Sequence, residues 1–210
     1  MLKLYNYFRS SASFRTRIVL NLKGLAYQDV PIHLVNNGGE HYSPDYQKIN
    51  PQHLVPALQD GPKIVTQSLA IIEYLDELHK KPPLLPNDPY QKALVRALAL
   101  IIVADTHPLN NLRVLHFLTH DLGISEEQKL RWYHHWMAKG LTALEKHVSA
   151  TAGRFCFGDS LTIADICLIP QLYNARRFAC DVSVYPTLVR IDAHCQTLDA
   201  FTKAWPKEPT

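Results

Sequence analysis

Apolar positions recur with two different spacings along the chain, and the change falls near residue 80. Before that point, short apolar runs typical of strands alternate with runs at helical spacing. The first helical run ends at Gly24, a residue favoured directly after a helix, and Asp60-Gly61 is a hairpin turn signal. The predicted strands are 2–7, 27–32, 56–59 and 63–65, and the predicted helices are 14–23, 43–49 and 68–78.

A proline-rich stretch separates this part from a second, wholly helical part. Four prolines lie between Lys80 and Pro89 and break both helix and sheet, which predicts a linker. Helical spacing then dominates, with a break expected near Pro108. The predicted helical runs are 90–120, 125–148, 162–178, one from 185, and 198–204. The fold class is therefore α+β, with domains at 1–80 and 90–210 and a linker at 81–89.

Composition narrows the class of protein without identifying it. Apolar residues make up 47% of the 210 residues, charged residues 20%, and the net charge is +3, as in ordinary globular proteins. Basic residues are scattered, so no nucleic-acid partner is expected, and the longest apolar run, 97–104, is too short to span a bilayer. No secretory leader opens the sequence. The four cysteines form no C-x-x-C pair, which argues against a metal or dithiol site and, as free thiols, favours the cytoplasm: Cys156, Cys167, Cys180 and Cys195.

A serine cluster at the start of the first helix is the main chemical signal. Ser10, Ser11 and Ser13 follow Arg9 and precede the apolar run. Serines there can simply cap the helix, but the amides and dipole of a helix N-terminus also attract an anion and lower the pKa of a thiol. Because Ala12 stands where a cysteine could, a thiolate at this position has to come from a ligand.

Several separated motifs resemble the zeta class of cytosolic glutathione transferases. Residues 10–20, SSASFRTRIVL, are similar to the S-S-C-S-W-R-x-R-I-x-L signature of that class, except for Ala12. Further matches lie in the same order along nearly the whole chain: Asn50-Pro51, Leu54-Val55-Pro56, 67–75, 107–112 and 175–178. The resemblance implies a thioredoxin-like N-terminal domain, an all-helical C-terminal domain, a homodimer and glutathione as the cofactor.

The same resemblance implies a reaction. The zeta class includes maleylacetoacetate isomerase of aromatic amino acid (tyrosine) catabolism and is similar to bacterial maleylpyruvate isomerase. In this reaction the glutathione thiolate adds to a cis double bond, the resulting single bond rotates, and elimination leaves the trans product. Ser10 is the expected partner of the thiolate, with Ser11 and Ser13 as the other candidates. Arg9 is expected beside them, because a guanidinium group binds carboxylates bidentately.

The remaining site residues are assigned by position in the family motifs. Residues expected to bind glutathione are Ser13, His41, Val55, Pro56, Gln67, Ser68, His107 and Asn111. Those expected to bind substrate carboxylates are Arg9, Arg113 and Arg177. For each, a purely structural role is the alternative: a helix cap for Ser68, a loop histidine for His41, a trans proline for Pro56, surface charges for the arginines.

Other features are interpreted as structural. Arg15 and Arg17 are expected to pair with acidic groups inside the first domain, and Thr162 with Asp165 reads as a capping box. His116 and His120 have helical metal spacing but no evident third ligand, and the pair at 134–135 is expected to face solvent. Three other functions stay open: maleylpyruvate isomerase, a transferase acting on small electrophiles such as α-haloacids, and a non-catalytic ligand-binding protein. A dithiol oxidoreductase is excluded because 10–13 contains no cysteine.

Overall fold

The computed structural model describes residues 1–207, without the side chain of Asn37. The chain forms two compact units, one comprising Met1–Pro83 with the residues from Thr197 onward, the other Leu84–Gln196. Each unit has its own core.

The first unit is a four-stranded sheet with helices. Its elements confirm the predicted order: β1 Leu2–Asn6, α1 Ser11–Leu22, β2 Tyr27–Pro31, α2 Pro44–Ile49, β3 Ala57–Asp60, β4 Lys63–Thr66 and α3 Ser68–Leu78. The sheet order is β2-β1-β3-β4; β1 and β2 are parallel, while β3 is antiparallel to both of its neighbours. Because β1 and β2 are parallel, α1 is the crossover connection between them.

Helix α1 lies at the centre of the first unit. Every residue from Ser13 to Leu20 is buried, so no face of this stretch is exposed to solvent. The reason is that α1 packs against α3 and also against a short helix near the C-terminus. A helix enclosed in this way holds its N-terminus in a fixed position, which matters for the chemistry proposed below.

The second unit is wholly helical. It comprises α4 Pro89–Leu100, α5 Leu112–His116, α6 Glu126–Ser149, α7 Ile163–Arg177 and α8 Pro186–Cys195. The predicted break near Pro108 is confirmed: α4 continues as a π-helical turn, Ile101–Thr106, and a 3-10 turn, Pro108–Asn110, leads into α5. A second π-helical turn, Phe117–Asp121, extends α5. The central helix is α7, whose residues 163–172 are all buried.

One helical region is long and apolar enough, by length and composition alone, to cross a membrane. Residues Pro89–Asp121 pass a test of length and hydropathy, with 33% of the window buried. A core helix of a globular protein passes the same test. Val95 and Ala99 are fully buried, and the 3-10 turn at Pro108–Asn110 interrupts the run.

The last helix differs from the expected domain boundary. Helix α9, Asp199–Ala204, lies in the first unit, although the sequence assigned 90–210 to the second. It packs on α1: Arg17 Nε donates to the Ala204 carbonyl oxygen at 3.1 Å, and Asn21 Nδ2 donates to that of Ala200 at 3.0 Å. These bonds satisfy polar side chains of a buried helix, which the local sequence of α9 does not reveal.

Candidate active site

Ser10 is the N-cap of α1. Its φ and ψ are −67° and 120°, and its Oγ accepts a hydrogen bond from the Ser13 amide at 3.2 Å. Accepting that bond leaves the hydroxyl hydrogen to be donated elsewhere. The Ser10 side chain is only partly buried, and the first turn of α1 carries no acidic residue. Ser10 thus combines a cap with a donor next to the positive end of a helix dipole.

The other two serines of the cluster are placed differently. Ser13 is fully buried, and its Oγ accepts from the Tyr7 amide at 3.4 Å, which ties α1 to the end of β1. Ser11 is also buried, with 2% of its surface exposed. Among the three candidates, the geometry favours Ser10 as the hydroxyl that meets a ligand.

Gln67 and Ser68 form the start of α3. Ser68 is buried, and its Oγ accepts from Arg15 Nη1 at 3.3 Å, a bond that links α1 to α3. Gln67 has a positive φ of 69°, which is unusual for a residue other than glycine. Its side-chain amide donates to Gln52 Oε1 at 2.8 Å. Strained backbone of this kind concentrates at binding sites, which agrees with the predicted role.

The loop before β3 carries Val55 and Pro56. The peptide bond between them is cis, so the alternative of a trans proline is wrong. The preceding carbonyl oxygen, that of Leu54, accepts from Tyr46 Oη and from Asn50 Nδ2, each at 2.7 Å. Two bonds on one carbonyl hold this loop firmly, and the Val55 side chain stays half-buried.

His41 is buried rather than an exposed loop residue, with 7% of its surface accessible. Burial, with a smaller contribution from nearby His53, lowers the pKa of His41 below its usual value of 6.5, so the ring is neutral at neutral pH. Its Nδ1 has no hydrogen-bond partner within the described residues. A Cβ added at Gly39 would lie 2.5 Å from His41 Cε1, so this glycine makes room for the ring.

The arginines of the first unit divide into an exposed one and two buried ones. Arg9 is exposed, with its guanidinium 4.9 Å from the centre of the Phe8 ring. Arg15 is 1% exposed and donates to Ser68. Arg17 donates to Asn6 Oδ1 at 2.8 Å as well as to backbone carbonyls. These bonds support a structural role for Arg15 and Arg17, but their acceptors are a hydroxyl, a side-chain amide and backbone carbonyls, so the expected pairing with acidic groups stays a prediction.

In the second unit, three predicted residues cluster around the turn between α4 and α5. His107 is half-buried and directly precedes the turn at Pro108–Asn110. Asn111 is the N-cap of α5, and its Oδ1 accepts from the Arg113 amide at 3.1 Å. The Arg113 side chain is exposed. Asn111 therefore has a capping role that its sequence motif did not indicate.

Arg177 ends α7 and is distinguished from its neighbour by its contacts. Arg176 forms an ion pair with buried Asp192, with Nη1 and Oδ2 2.6 Å apart. The Arg177 guanidinium instead lies 4.9 Å from the centre of the Phe178 ring, and the side chain is exposed. Arg176 is thus committed to α8, while Arg177 presents its charge at the surface of the unit.

Protein thiols are unsuited to nucleophilic chemistry. All four cysteines are free, and burial raises the pKa of Cys180 to about 11 and those of Cys156 and Cys195 further. In residues 1–207 no group of three or more His, Cys, Asp or Glu side chains could hold a metal ion. The rings of His116 and His120 stack with centroids 3.8 Å apart. A reactive thiolate therefore has to come from a ligand.

Two supporting residues of the first unit were missed by sequence reasoning. Gln52 receives the Gln67 amide, and the Nδ1 atom of His53 lies 2.9 Å from the His41 carbonyl oxygen. His53 has a positive φ of 55°. The only sequence signal was their place between the motif residues Pro51 and Leu54, because neither a positive φ nor a long-range hydrogen bond is readable from residue type.

Comparison with known proteins agrees with this arrangement. The N-terminal domain family of glutathione S-transferases matches residues 1–77, and the C-terminal domain family matches 137–207. A probable maleylacetoacetate isomerase of Vibrio cholerae is 49% identical over 97% of this chain and 95% of its own length.

Two solved structures superpose with a TM-score of 0.94 each. One is the holo form of a maleylpyruvate isomerase, a bacterial zeta-class glutathione S-transferase, 44% identical over 97% of this chain and 96% of that chain. The other is maleylacetoacetate isomerase from Methylobacterium extorquens AM1 with bound malonate and glutathione, 43% identical over 99% of this chain and 98% of that one. The chain therefore belongs to the glutathione S-transferase family, within the zeta class that contains the maleylacetoacetate and maleylpyruvate isomerases.

Proposed function

We propose that this protein is a glutathione-dependent cis–trans isomerase of maleyl keto acids, converting maleylacetoacetate to fumarylacetoacetate in tyrosine and related aromatic catabolism. The observation that carries the proposal is the start of α1. It offers a partly exposed hydroxyl donor and a helix dipole, with no acidic residue in its first turn to occupy the site. An external thiolate fits such a site, whereas the protein's own cysteines are buried or half-buried.

Glutathione fits the residues present in the first unit. The buried Nδ1 of His41, which has no partner among the described residues, offers a hydrogen bond to a polar group of the peptide. The cis Val55-Pro56 loop and the Gln67-Ser68 pair are held by the bonds described above. When bound, glutathione supplies the thiolate that adds to the double bond and is later eliminated.

The protein's own residues then have separate tasks. The Ser10 hydroxyl donates a hydrogen bond to the sulfur and, with the helix dipole, keeps it unprotonated. Ser11 and Ser13, which are buried, remain the other candidates for contact with the sulfur and with glutathione. Val55, through its backbone, and Gln67, Ser68 and His41 bind the peptide, as do His107 and Asn111. No side chain of the protein has to form a covalent bond.

The substrate is proposed to be a dianion. Arg9, Arg113 and Arg177 are exposed guanidinium groups, and such groups bind carboxylates with two parallel hydrogen bonds. The structure of the Methylobacterium relative contains bound malonate, a dicarboxylate, as well as glutathione, which supports an anionic substrate. These side chains would hold the carboxylates while the carbon–carbon bond between them rotates.

Maleylpyruvate is the second candidate substrate. The zeta-class maleylpyruvate isomerase is as close in fold as the maleylacetoacetate isomerase of Methylobacterium. The two substrates share the maleyl carbons and differ only in the tail beyond them, so the residues named above serve either one.

A homodimer is the proposed assembly. Apolar residues on α4 and its π-helical continuation recur three and four apart and remain exposed: Tyr90, Ala93, Ala97, Leu100 and Ala104. Tyr90 and Leu100 are 72% and 42% exposed. Such a stripe is typical of a helix that packs against another chain. Sedimentation should give a dimer, and Ala97→Glu should shift it toward monomer.

The four free thiols suit a reducing compartment, and we propose the cytoplasm.

The deciding experiment is an ultraviolet isomerisation assay on maleylpyruvate and on maleylacetone, each with and without glutathione. Turnover that requires glutathione, and that falls in Ser10→Ala and Arg9→Ala, is the expected result. Conjugation of glutathione to α-haloacids without isomerisation would favour a general transferase. Glutathione binding with neither activity would favour a ligand-binding protein.

A further inference from the structure

We infer that one turn of α6, the residues Trp132, Tyr133 and His134, positions both segments of the second unit that carry candidate carboxylate ligands. These three residues are called the α6 brace. The inference rests on the proposed function, in which Arg113 and Arg177 bind the substrate anion. The brace residues are positioning residues, since none of them has to touch the substrate.

The brace holds the turn before Arg113 through two hydrogen bonds. Trp132 Nε1 donates to the Leu109 carbonyl oxygen at 2.9 Å, and Asn110 Nδ2 donates to the Tyr133 carbonyl oxygen at 3.2 Å. Leu109 and Asn110 belong to the 3-10 turn that leads directly into α5. The start of α5, and with it Arg113, is therefore tied to α6.

The same turn of α6 holds the end of α7. Tyr133, which is 1% exposed, stacks on the Phe178 ring with centroids 3.9 Å apart and planes inclined by 22°. The Arg177 guanidinium lies 4.9 Å from the centre of that same ring. His134 Nε2 lies 2.7 Å from the Phe178 carbonyl oxygen. Because a carbonyl oxygen only accepts, this ring nitrogen carries the proton and donates it.

The end of α7 benefits from such external support. Ala179 has a positive φ of 54°, a conformation that disfavours a residue with a Cβ atom. Its amide donates to the Arg176 carbonyl oxygen at 3.0 Å, and the Cys180 amide donates to that of Ala175 at 2.9 Å. A glycine at this position would adopt the same turn without strain. Contacts from α6 therefore help to fix the backbone next to Arg177.

The α6 brace sets the spacing between the two segments that it contacts. Three consecutive residues of a single helix contact two separate segments, so the spacing between those segments follows the rigid geometry of one helical turn. Loss of a contact to Phe178 should loosen the hold on the substrate anion without weakening glutathione binding, because that contact lies at the end of α7 and not at the turn between His107 and Asn111. His134 was expected only to face solvent. It is exposed, but it also donates this hydrogen bond.

The test compares His134→Ala with His135→Ala. Both histidines are exposed on α6, but among the described contacts His135 packs against Trp136 and not against Phe178. His134→Ala should raise the KM for the maleyl keto acid and the Kd of malonate for the glutathione-loaded protein, each roughly fivefold, the scale of one lost hydrogen bond. The kcat and the Kd of glutathione should not change. His135→Ala should match the wild type in all four quantities.

Conservative variants and a double-mutant cycle separate positioning from a general loss of structure. His134→Gln, which keeps a donor of similar reach, should restore much of the affinity. Tyr133→Phe should behave as wild type, and Tyr133→Leu, which loses the stacked ring, should not. In an Arg177→Ala background, His134→Ala should have little further effect on the Kd of malonate. An equal effect in both backgrounds would overturn the inference.

The malonate measurement keeps this inference distinct from the proposed reaction. Coupling between His134 and Arg177 in malonate affinity, in a protein that turns over neither keto acid, would retain the brace and reject the isomerase. Isomerase turnover without coupling between His134 and Arg177 would retain the isomerase and reject the brace. If malonate fails to bind and His134→Ala leaves the KM unchanged, the inference is wrong.

Discussion

Two helices, one in each unit, both begin after a hydroxyl residue, but the two helix N-termini have different roles. Helix α1 begins after Ser10 and helix α7 after Thr162, in both cases a hydroxyl residue before a buried apolar run. At α7 the third helical residue is Asp165, which is fully buried. Its oxygens accept from the Thr162 amide at 2.8 Å, the Thr162 hydroxyl at 3.0 Å and the Cys156 amide at 2.7 Å. At α1 the equivalent residue is Ser13, and no carboxylate is present.

The difference lies in where the negative group comes from. Helix α7 carries its own carboxylate, so its N-terminus is electrostatically satisfied within the fold and serves stability. Helix α1 leaves this place to an external anion and keeps a partly exposed hydroxyl beside it. A capped helix start is therefore a structural feature in one unit and a candidate binding site in the other.

The largest effect is expected from removing the internal carboxylate. Asp165→Ala leaves the buried amides of Thr162 and Cys156 without their acceptor and should lower the free energy of unfolding by about 3 to 5 kcal/mol. Urea denaturation measures this, with Glu126→Ala, an exposed residue of α6, as a control that should change little. Asp165→Asn, which keeps one acceptor oxygen, should fall between them. If Asp165→Ala lowers the free energy of unfolding no more than Glu126→Ala does, then Asp165 does not stabilise the start of α7 as proposed.

Ser10→Ala should affect activity far more than stability. Loss of the donor to the thiolate should reduce kcat/KM about 10²-fold or more, while loss of the cap should cost about 1 kcal/mol of stability. The matched control is Ser125→Ala, because Ser125 caps α6 with the same 3.2 Å bond to a backbone amide. It should lose similar stability and keep full activity. Equal activity in the two variants would assign Ser10 to capping alone.

Giving α1 its own anion should close the site. Ala12 is half-buried in the first turn of α1, and Ala12→Asp places a carboxylate one residue before the position that Asp165 occupies in α7. The new charge should stabilise the helix by about 0.3 to 1 kcal/mol and raise the Kd of glutathione roughly tenfold by repelling the thiolate. Ala12→Asn, of the same size but uncharged, should bind glutathione more tightly than Ala12→Asp. Isothermal titration calorimetry gives both affinities, and equal values would exclude an electrostatic cause.

The smallest effect concerns pH and the first unit. The pKa of His41 is lowered in the folded state by burial and by His53. As the pH falls below 6.5, the unfolded chain takes up a proton at this residue before the folded chain does, so stability declines. Urea denaturation at about pH 7.5 and about pH 5.5 should show a larger decline for the wild type than for His41→Gln. If the free energy of unfolding declines equally in the wild type and in His41→Gln, a group other than His41 causes the pH dependence.

Much of the fold was readable from local sequence. Helix α3 has the predicted bounds, and the helical run predicted from residue 125 begins at the N-cap Ser125, which forms a capping box with Gln128. The Asp165 network had the same local signal, a hydroxyl residue followed three positions later by an acid. These features depend on neighbours within a few residues, so residue type and spacing suffice to predict them. The zeta-class motifs added the order of the site residues along the chain.

Tertiary structure alone decided how those residues are held. The motif favoured Ser10 but left Ser11 and Ser13 as candidates, whereas packing buries Ser11 and Ser13 and leaves Ser10 partly exposed. His41 became a buried neutral ring, α9 joined the first unit, and His134 acquired a bond to a residue 44 positions away. Each of these depends on contacts between segments distant in sequence, and the free energy of such contacts is set by packing that no local pattern records.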